Sequence, residues 1–459
     1  MNSMAAQHRM PAQGASRAER AAGGLADCVL RILLLLYLMS MVLEGPLRYG
    51  LSVAGLPNVL YLRDVVPVGS IAFLFARRLW TDRSVDLRIA IPLAVLLGHA
   101  TLAVIAGVDL FPVLFGLKIF LFIPYGIAMW PLVQARFGAA LAAAAFIYAI
   151  TLAGVGANFL LERMPWEGLA YDTAFGPTST TREWWMGAIR RLPGLARTSF
   201  NAAMILGITG LLTAIRFPSW PLRVALTAAT LLGIIATTSK GMVLAYALAA
   251  AWLLIDPEAR RPLASRVLVG ALAALSIVMP TLIVLLDLGS SLKLGSLPDL
   301  LTSVWDRFAT MWPAAFEILP EGPAAVLGAG LGSIGTPQEY GSKAHLANAA
   351  DSLAIYMIVN FGLLGVLYFL LPAIALPSVQ RLNDRRIQQA FTIMLLVAYG
   401  YGLSVNMLED AFFSICIGMA VGSAWPWRAQ ASLAPSRSAT RALGARRPPS
   451  VGDHMGRAS

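Results

Sequence analysis

The residues with chemical potential in this chain are charged groups set against apolar surroundings. Arg191-x-x-Gly194-x-x-Arg197-x-x-x-Asn201 leads into an apolar run, and Thr238-Ser239-Lys240-Gly241 separates two others. Further on, Arg307 and Trp312 precede Gly328-x-Gly330-x-Gly332 and then Asp351-Ser352-x9-Gly362-x-x-Gly365. Arg63-Asp64 and Lys118 interrupt otherwise apolar stretches. A charge at the centre of a bilayer costs roughly 2.5–3.5 kcal/mol even on insertion scales, so such groups face a cavity or a partner. Two readings stay open for Arg63, Asp64 and Lys118: they line a water-accessible cavity, or an Asp64 ion pair merely orders helices. Asp351 stands before an apolar run and could cap a helix there. Gly330-Leu331-Gly332-Ser333-Ile334-Gly335 fits G-x-G-x-x-G but has no βαβ context, so it reads as a tight turn. Metal-ligand spacings such as H-E-x-x-H and C-x-x-C do not occur, nor does a Walker loop, so no metal and no cofactor is expected.

The elements that must carry these residues are membrane helices. Of 459 residues, 58% are hydrophobic and 13% charged, and mean hydropathy is +0.70. Soluble domains are near 25% charged, and surface-to-volume scaling leaves a soluble chain unable to hide so much apolar surface. An all-α polytopic membrane protein follows, since a span needs about 20 apolar residues. Twelve spans are predicted, at 26–44, 57–76, 89–107, 111–130, 138–158, 198–215, 220–238, 241–255, 267–286, 352–378, 388–405 and 410–426. Residues 1–25 form an N-terminal tail, 26–426 the transmembrane domain and 427–459 a basic, disordered tail. At about 1.5 Å per residue, Arg63 and Lys118 lie roughly 9–11 Å inside their helices.

The net charge of +11 would suggest nucleic acid in a soluble protein; here it sets topology instead. Alternate sides hold 22 and 10 of the 35 basic residues, with Arg31, Arg63 and Lys118 inside spans. Both termini are therefore expected in the cytoplasm. Most of the basic residues on the other side fall in two long loops, 159–197 and 287–351. Either these bind something anionic or they pair with Glu162, Glu167, Asp172 and Glu183. The stretch 300–318 reads as an interfacial amphipathic helix with Trp305 and Trp312 on one face.

Taken together, the order, spacing and sidedness of these motifs resemble the bacterial O-antigen polymerase and O-antigen ligase superfamily over most of the chain. Its members have ten to fourteen spans and a long late loop outside the cytoplasm. A His-[Asn/Ser/Gln]-x9-Gly-x-x-Gly signature follows that loop in the ligases. The resemblance implies an inner-membrane glycosyltransferase acting at the periplasmic face on undecaprenyl-diphosphate-linked glycans. Its partners would be the lipid bilayer, a flippase and a chain-length regulator. Arg191, Arg197, Lys240 and Arg307 would then clamp the departing diphosphate, because guanidinium forks suit phosphate oxygens. Asp351 stands where a ligase has its histidine and would serve as general base, with His345 as its rival. That departure favours a polymerase of repeat units over a ligase or oligosaccharyl transferase, and a transporter or flippase is the reading from a different class.

Overall fold

The computed structural model describes residues 17–173, 176–186, 189–291 and 299–424. The predicted tail 427–459 lies outside these residues, and the N-terminal one enters only from Arg17. Helix α1 (Arg17–Val42) is followed by α2 (Glu44–Val53), a 3-10 turn (Pro57–Asp64), α3 (Val65–Asp82), α4 (Leu87–Ile105), α5 (Leu110–Gln134) and α6 (Phe137–Leu160). The first long loop carries two antiparallel hairpins that a purely helical reading does not anticipate. They are β1 (Ala170–Thr173) with β2 (Gly176–Ser179), and β3 (Trp185–Met186) with β4 (Ile189–Arg190). Then come α7 (Ser199–Arg216), α8 (Trp220–Ala236), α9 (Lys240–Ile255) and α10 (Pro262–Leu285). Two short helices, α11 (Leu288–Ser291) and α12 (Asp299–Asp306), a π turn (Arg307–Met311) and α13 (Trp312–Phe316) precede α14 (Leu353–Val379), α15 (Arg385–Gly402) and α16 (Ala411–Ala424).

Each predicted span coincides with a helix. Among the described residues, eight helices are long and apolar enough to cross a membrane, and α8, α9 and α16 are shorter apolar helices. Helix α15 opens on Arg385, Arg386, Gln388 and Gln389, yet Leu395, Leu396 and Val397 are fully buried. It packs against α7, α9, α10 and α14. Its neighbours, rather than its own apolarity, shield it from lipid.

Two corrections to the sequence reading have local causes. Arg63 and Asp64 lie on the 3-10 turn ahead of α3, not within an α-helix, so a depth reckoned at the α-helical rise does not apply to Arg63. The 300–318 stretch is helical as expected from 299 to 316, with a π turn at Arg307–Met311, but Trp312 is 1% exposed. Its segment packs on α10 and α14, so Trp312 faces the protein.

Glycine sets how closely the backbone can be packed. A Cβ on Gly126 of α5 would lie 2.2 Å from the Ile415 carbonyl, and one on Gly418 of α16 would lie 2.1 Å from that of Ile123. Small residues thus let α5 and α16 run in near-backbone contact, as in other membrane bundles. Helix α14 breaks at Gly362 (φ 60°, ψ −138°), a conformation open essentially to glycine. The 322–332 segment enters that break: Ala329 N donates to Val359 O at 2.8 Å, and a Gly328 Cβ would meet Gly362 N at 2.4 Å. Gly332 N donates to the buried Asn360 Oδ1 at 2.9 Å. The glycine motifs are therefore backbone-packing devices that seat the second loop. Gly362→Ala is expected to cost about 1–3 kcal/mol from backbone strain alone, more with the displaced 325–326 carbonyls. The check is a lower thermal midpoint of the detergent-solubilised protein, with Gly270→Ala, which meets nothing within 4 Å, as the neutral control.

Candidate functional site

One end of the bundle holds a cavity of 1270 Å3. Its walls come from the connections α1–α3, α6–α7, α8–α9, α10–α14 and α15–α16, together with flanks of α5, α9 and α10. The first loop reaches over this cavity because of a buried network behind it. Glu167, 1% exposed, accepts from Met164 N (3.1 Å) and Asn158 Nδ2 (3.3 Å) and pairs with Arg190 at 3.2 Å. Asn158 Oδ1 in turn accepts from Gly194 N at 3.0 Å. This ties the end of α6 to the strand and turn that present Arg191 and Arg197. Thr198 then caps α7 by accepting from Asn201 N at 3.2 Å.

The predicted diphosphate clamp separates into two groups within the one cavity. In the first, Arg307 Nη2 pairs with Asp351 Oδ2 at 2.9 Å while Nη1 donates to Ser303 O at 2.7 Å. Arg191 and Arg307 are near enough to act electrostatically on Lys240, and Arg191 acts on Asp351 as well. Arg191 lies over the Trp184 ring, 5.8 Å from its centroid, a cation–π distance. Asp351 is held by its loop rather than by a capping role. Ser352 is the cap of α14, accepting from Ile355 N at 3.5 Å. Asn348 fixes the approach, donating to Met311 O at 2.8 Å and accepting from Ala350 N at 2.7 Å. Asp351 itself has φ 23°. Burial pushes its carboxyl up from the ordinary aspartate range, against the pull of Arg307 and Arg191.

The second group surrounds Glu44. Arg48 pairs with it at 2.6 Å and Arg63 at 3.2 Å, and Arg48 Nη1 donates to Tyr171 Oη at 2.7 Å. Burial alone would raise the Glu44 carboxyl, but Arg63, Arg48 and Arg197 outweigh it and hold it down to about 2. Arg197 donates to Thr178 Oγ1 at 3.4 Å, and Arg182 joins it through its backbone N–H, 2.9 Å from Arg197 O. Burial, with Arg48 beside it, pushes the Arg197 guanidinium below its usual range.

Arg63, Asp64 and Lys118 line the same cavity, and there Lys118 pairs with Asp64 at 2.6 Å. His345 sits exposed on a 3-10 turn and is not among the lining residues, so the structure does not bring it to Asp351. His99 packs between helices, its Nε2 3.1 Å from Tyr368 Oη.

Sequence reasoning missed Glu44 and Arg48, whose i,i+4 spacing across the end of the first predicted span was the available signal. It also missed Glu409 and Asp410, an acidic pair between the last two spans. Glu409 accepts from Thr336 N (3.0 Å) and Asn406 Nδ2 (3.1 Å), and Asp410 accepts from Asn201 Nδ2 and from Phe413 N (3.2 Å).

Among the described residues, Arg182, Arg191 and Arg197 form no ion pair. The buried Nε atoms of Arg191, Arg197 and Arg307 have no hydrogen-bond partner. Unmatched guanidinium donors around one cavity suit an anion with several oxygens. No family model, no curated protein and no solved structure matches the chain.

Removing the network's carboxylate tests its part in seating the loop. Glu167→Ala leaves the half-buried Arg190 without its carboxylate and Met164 N without its acceptor, a loss of up to about 3 kcal/mol. Limited proteolysis is then expected to cleave within 159–197 faster in the variant than in the wild-type protein.

Proposed function

We propose that this protein is a glycan polymerase of the bacterial inner membrane. Twelve helices cross the bilayer with both termini in the cytoplasm, and the cavity opens to the periplasm. There it joins undecaprenyl-diphosphate-linked repeat units into O-antigen or exopolysaccharide. The observation that carries the reading is the surplus of unpaired guanidiniums in the cavity that holds the Arg307–Asp351 pair, with Arg191 nearest to it. A diphosphate leaving group needs such donors, and Asp351 is a carboxylate among them that can take a proton.

The reaction balances on these residues. The acceptor sugar hydroxyl forms a bond to the anomeric carbon of the donor as the bond from that carbon to the diphosphate oxygen breaks. The electron pair leaves with the diphosphate, where Arg191, Lys240 and Arg307 stabilise the growing charge. The hydroxyl proton passes to the Asp351 carboxylate. Arg197, with Arg182 and Arg48, lies in the second group and extends the positive field along the cavity.

Deleting the gene should leave single lipid-linked repeats and abolish long polymer on gel electrophoresis; unchanged polymer sinks the reading. Arg191→Ala and Arg307→Ala should each lower turnover roughly 10²-fold or more with membrane insertion intact, and wild-type turnover in both rules out the clamp.

The base assignment has its own signature in pH. Only ionised Asp351 accepts a proton, so activity falls as pH drops through its pKa, and burial places that fall above the ordinary aspartate range. Arg307→Gln removes the partner that pulls this pKa down, so in whatever activity remains the acid limb should move to higher pH. Asp351→Asn should lower turnover by about 10²–10⁴-fold and erase that limb. An acid limb indifferent to both substitutions excludes Asp351 as the base.

A further inference from the structure

A second cavity, of 870 Å3, lies against the α8–α9 turn and shares Thr238 and Lys240 with the first. Its other walls include Phe159 at the end of α6, Trp185 and Ile189 of the β3–β4 hairpin, Ile235 of α8 and Val243 of α9. The large apolar side chains among them are open: Phe159 is 71% exposed, Trp185 57%, Ile189 55% and Ile235 49%. At the shared wall, Thr238 has φ 58° and a buried Oγ1 with no hydrogen-bond partner. The first cavity has an apolar flank of its own on the other face of α9. Leu244 and Leu275 line it and are 73% and 47% exposed. It stays open because α9 and α10 pack on α15 rather than on each other. Helix α9 therefore has a hydrocarbon-lined opening on each side, and Lys240 at its N-terminal end belongs to both.

We infer that the second cavity takes a second lipid carrier, a polyprenyl chain with a phosphate or diphosphate head. Its hydrocarbon lies on Phe159, Ile235 and Val243, and its head reaches Lys240 and the waiting Thr238 hydroxyl. Most of the exposed wall is apolar, which favours hydrocarbon over a saccharide; of the charged groups beside Lys240, Arg163 pairs with Glu183 at 3.2 Å and Arg190 with Glu167 at 3.2 Å, and Glu162 lines the cavity as well. This inference rests on the proposed polymerase and supplies what that reaction requires. Joining two carrier-linked glycans brings two long hydrocarbon chains to one active site, and an opening on each side of α9 gives each chain its own path. The shared Lys240 puts the two heads on either side of one ammonium.

The full-length protein in liposomes, irradiated with a polyprenyl diphosphate bearing a diazirine in its chain, tests this directly. Mass spectrometry is expected to find labels at Leu244 and Leu275 and, separately, at Phe159 and Ile235. Val243→Trp and Ile235→Trp fill the second cavity from partly exposed helix faces. Each should cut label at Phe159 by about ten-fold, equivalent to about 1.4 kcal/mol of binding, while label at Leu275 persists. In cells, the same variants should make only the shortest products. Labels confined to Leu244 and Leu275, or Phe159 label that survives both substitutions, overturn the second carrier site and leave the polymerase standing. Phe159 label displaced by free oligosaccharide but not by unlabelled polyprenyl diphosphate also overturns it, in favour of a sugar site. Labels at neither place overturn both readings.

Discussion

Charge matching is the constraint around which this cavity is built. Taking an ion from water into a protein interior costs several kcal/mol unless a partner of opposite sign and further hydrogen bonds meet it. Glu44 meets that demand with two guanidiniums, Asp64 with Lys118, Glu167 with Arg190 and Asp351 with Arg307. Each of these pairs joins segments distant in the chain, except Glu44 with Arg48. They therefore act as cross-links that hold the helix ends and loops around a common space. Once they are made, the carboxylates on hand, the exposed Glu339 apart, are committed or held by amides and hydroxyls, as Glu409 is by Thr336 and Asn406. Arg182, Arg191 and Arg197 remain without carboxylates, and their charge is left for something that enters.

The loops that carry these charges are seated by two different kinds of force. The first loop is held by polar groups, with Asn158 and Glu167 satisfying backbone donors near both of its ends. The second is held by backbone proximity, through glycines at 328, 330, 332 and 362 that admit no side chain where they pack. A side-chain network can fix the direction of Arg191, whereas threading through a broken helix fixes the whole path from Gly328 to Ser352. Asp351 inherits its position from that path. Its φ of 23° is tolerable because Asn348 on one side and the capped α14 on the other leave the residue between them little choice.

How much of this was legible in the sequence depended on the range over which each cause acts. Apolar runs report helices because lipid or a packed bundle selects every residue in them, so each predicted span coincides with a helix. Lys240 and Asp351 were visible because they stand at the edges of such runs, and Arg191 and Arg307 because their loops carry basic residues on the side that topology disfavours. The Asp64–Lys118 pair was one of two readings, and the structure gives both at once, an ion pair that also lines the cavity. What the sequence could not convey were partnerships across long separations. Glu44 lies far along the chain from Arg197, and Asn201 from Asp410, and neither spacing carries a period. The burial of Trp312 was hidden for a related reason, since an apolar stripe looks the same facing lipid or a helix.

The pairing of Arg307 with Asp351 ties binding to chemistry in the proposed reaction. While Asp351 is the anion paired with Arg307, the carboxylate is stabilised but its basicity is reduced by the neighbouring charge. An entering diphosphate competes for the same guanidinium, whose Nε has no partner, and its own negative charge makes Asp351 a stronger base. The two effects share one cause, so the carboxylate gains proton affinity when a donor is in place. Removal of the leaving group restores the original pair and lowers that affinity again. A histidine at this position would begin neutral and be attracted, once protonated, to the same diphosphate. An aspartate instead needs an arginine beside it to remain charged in a buried loop, which gives Arg307 a role on both sides of the reaction.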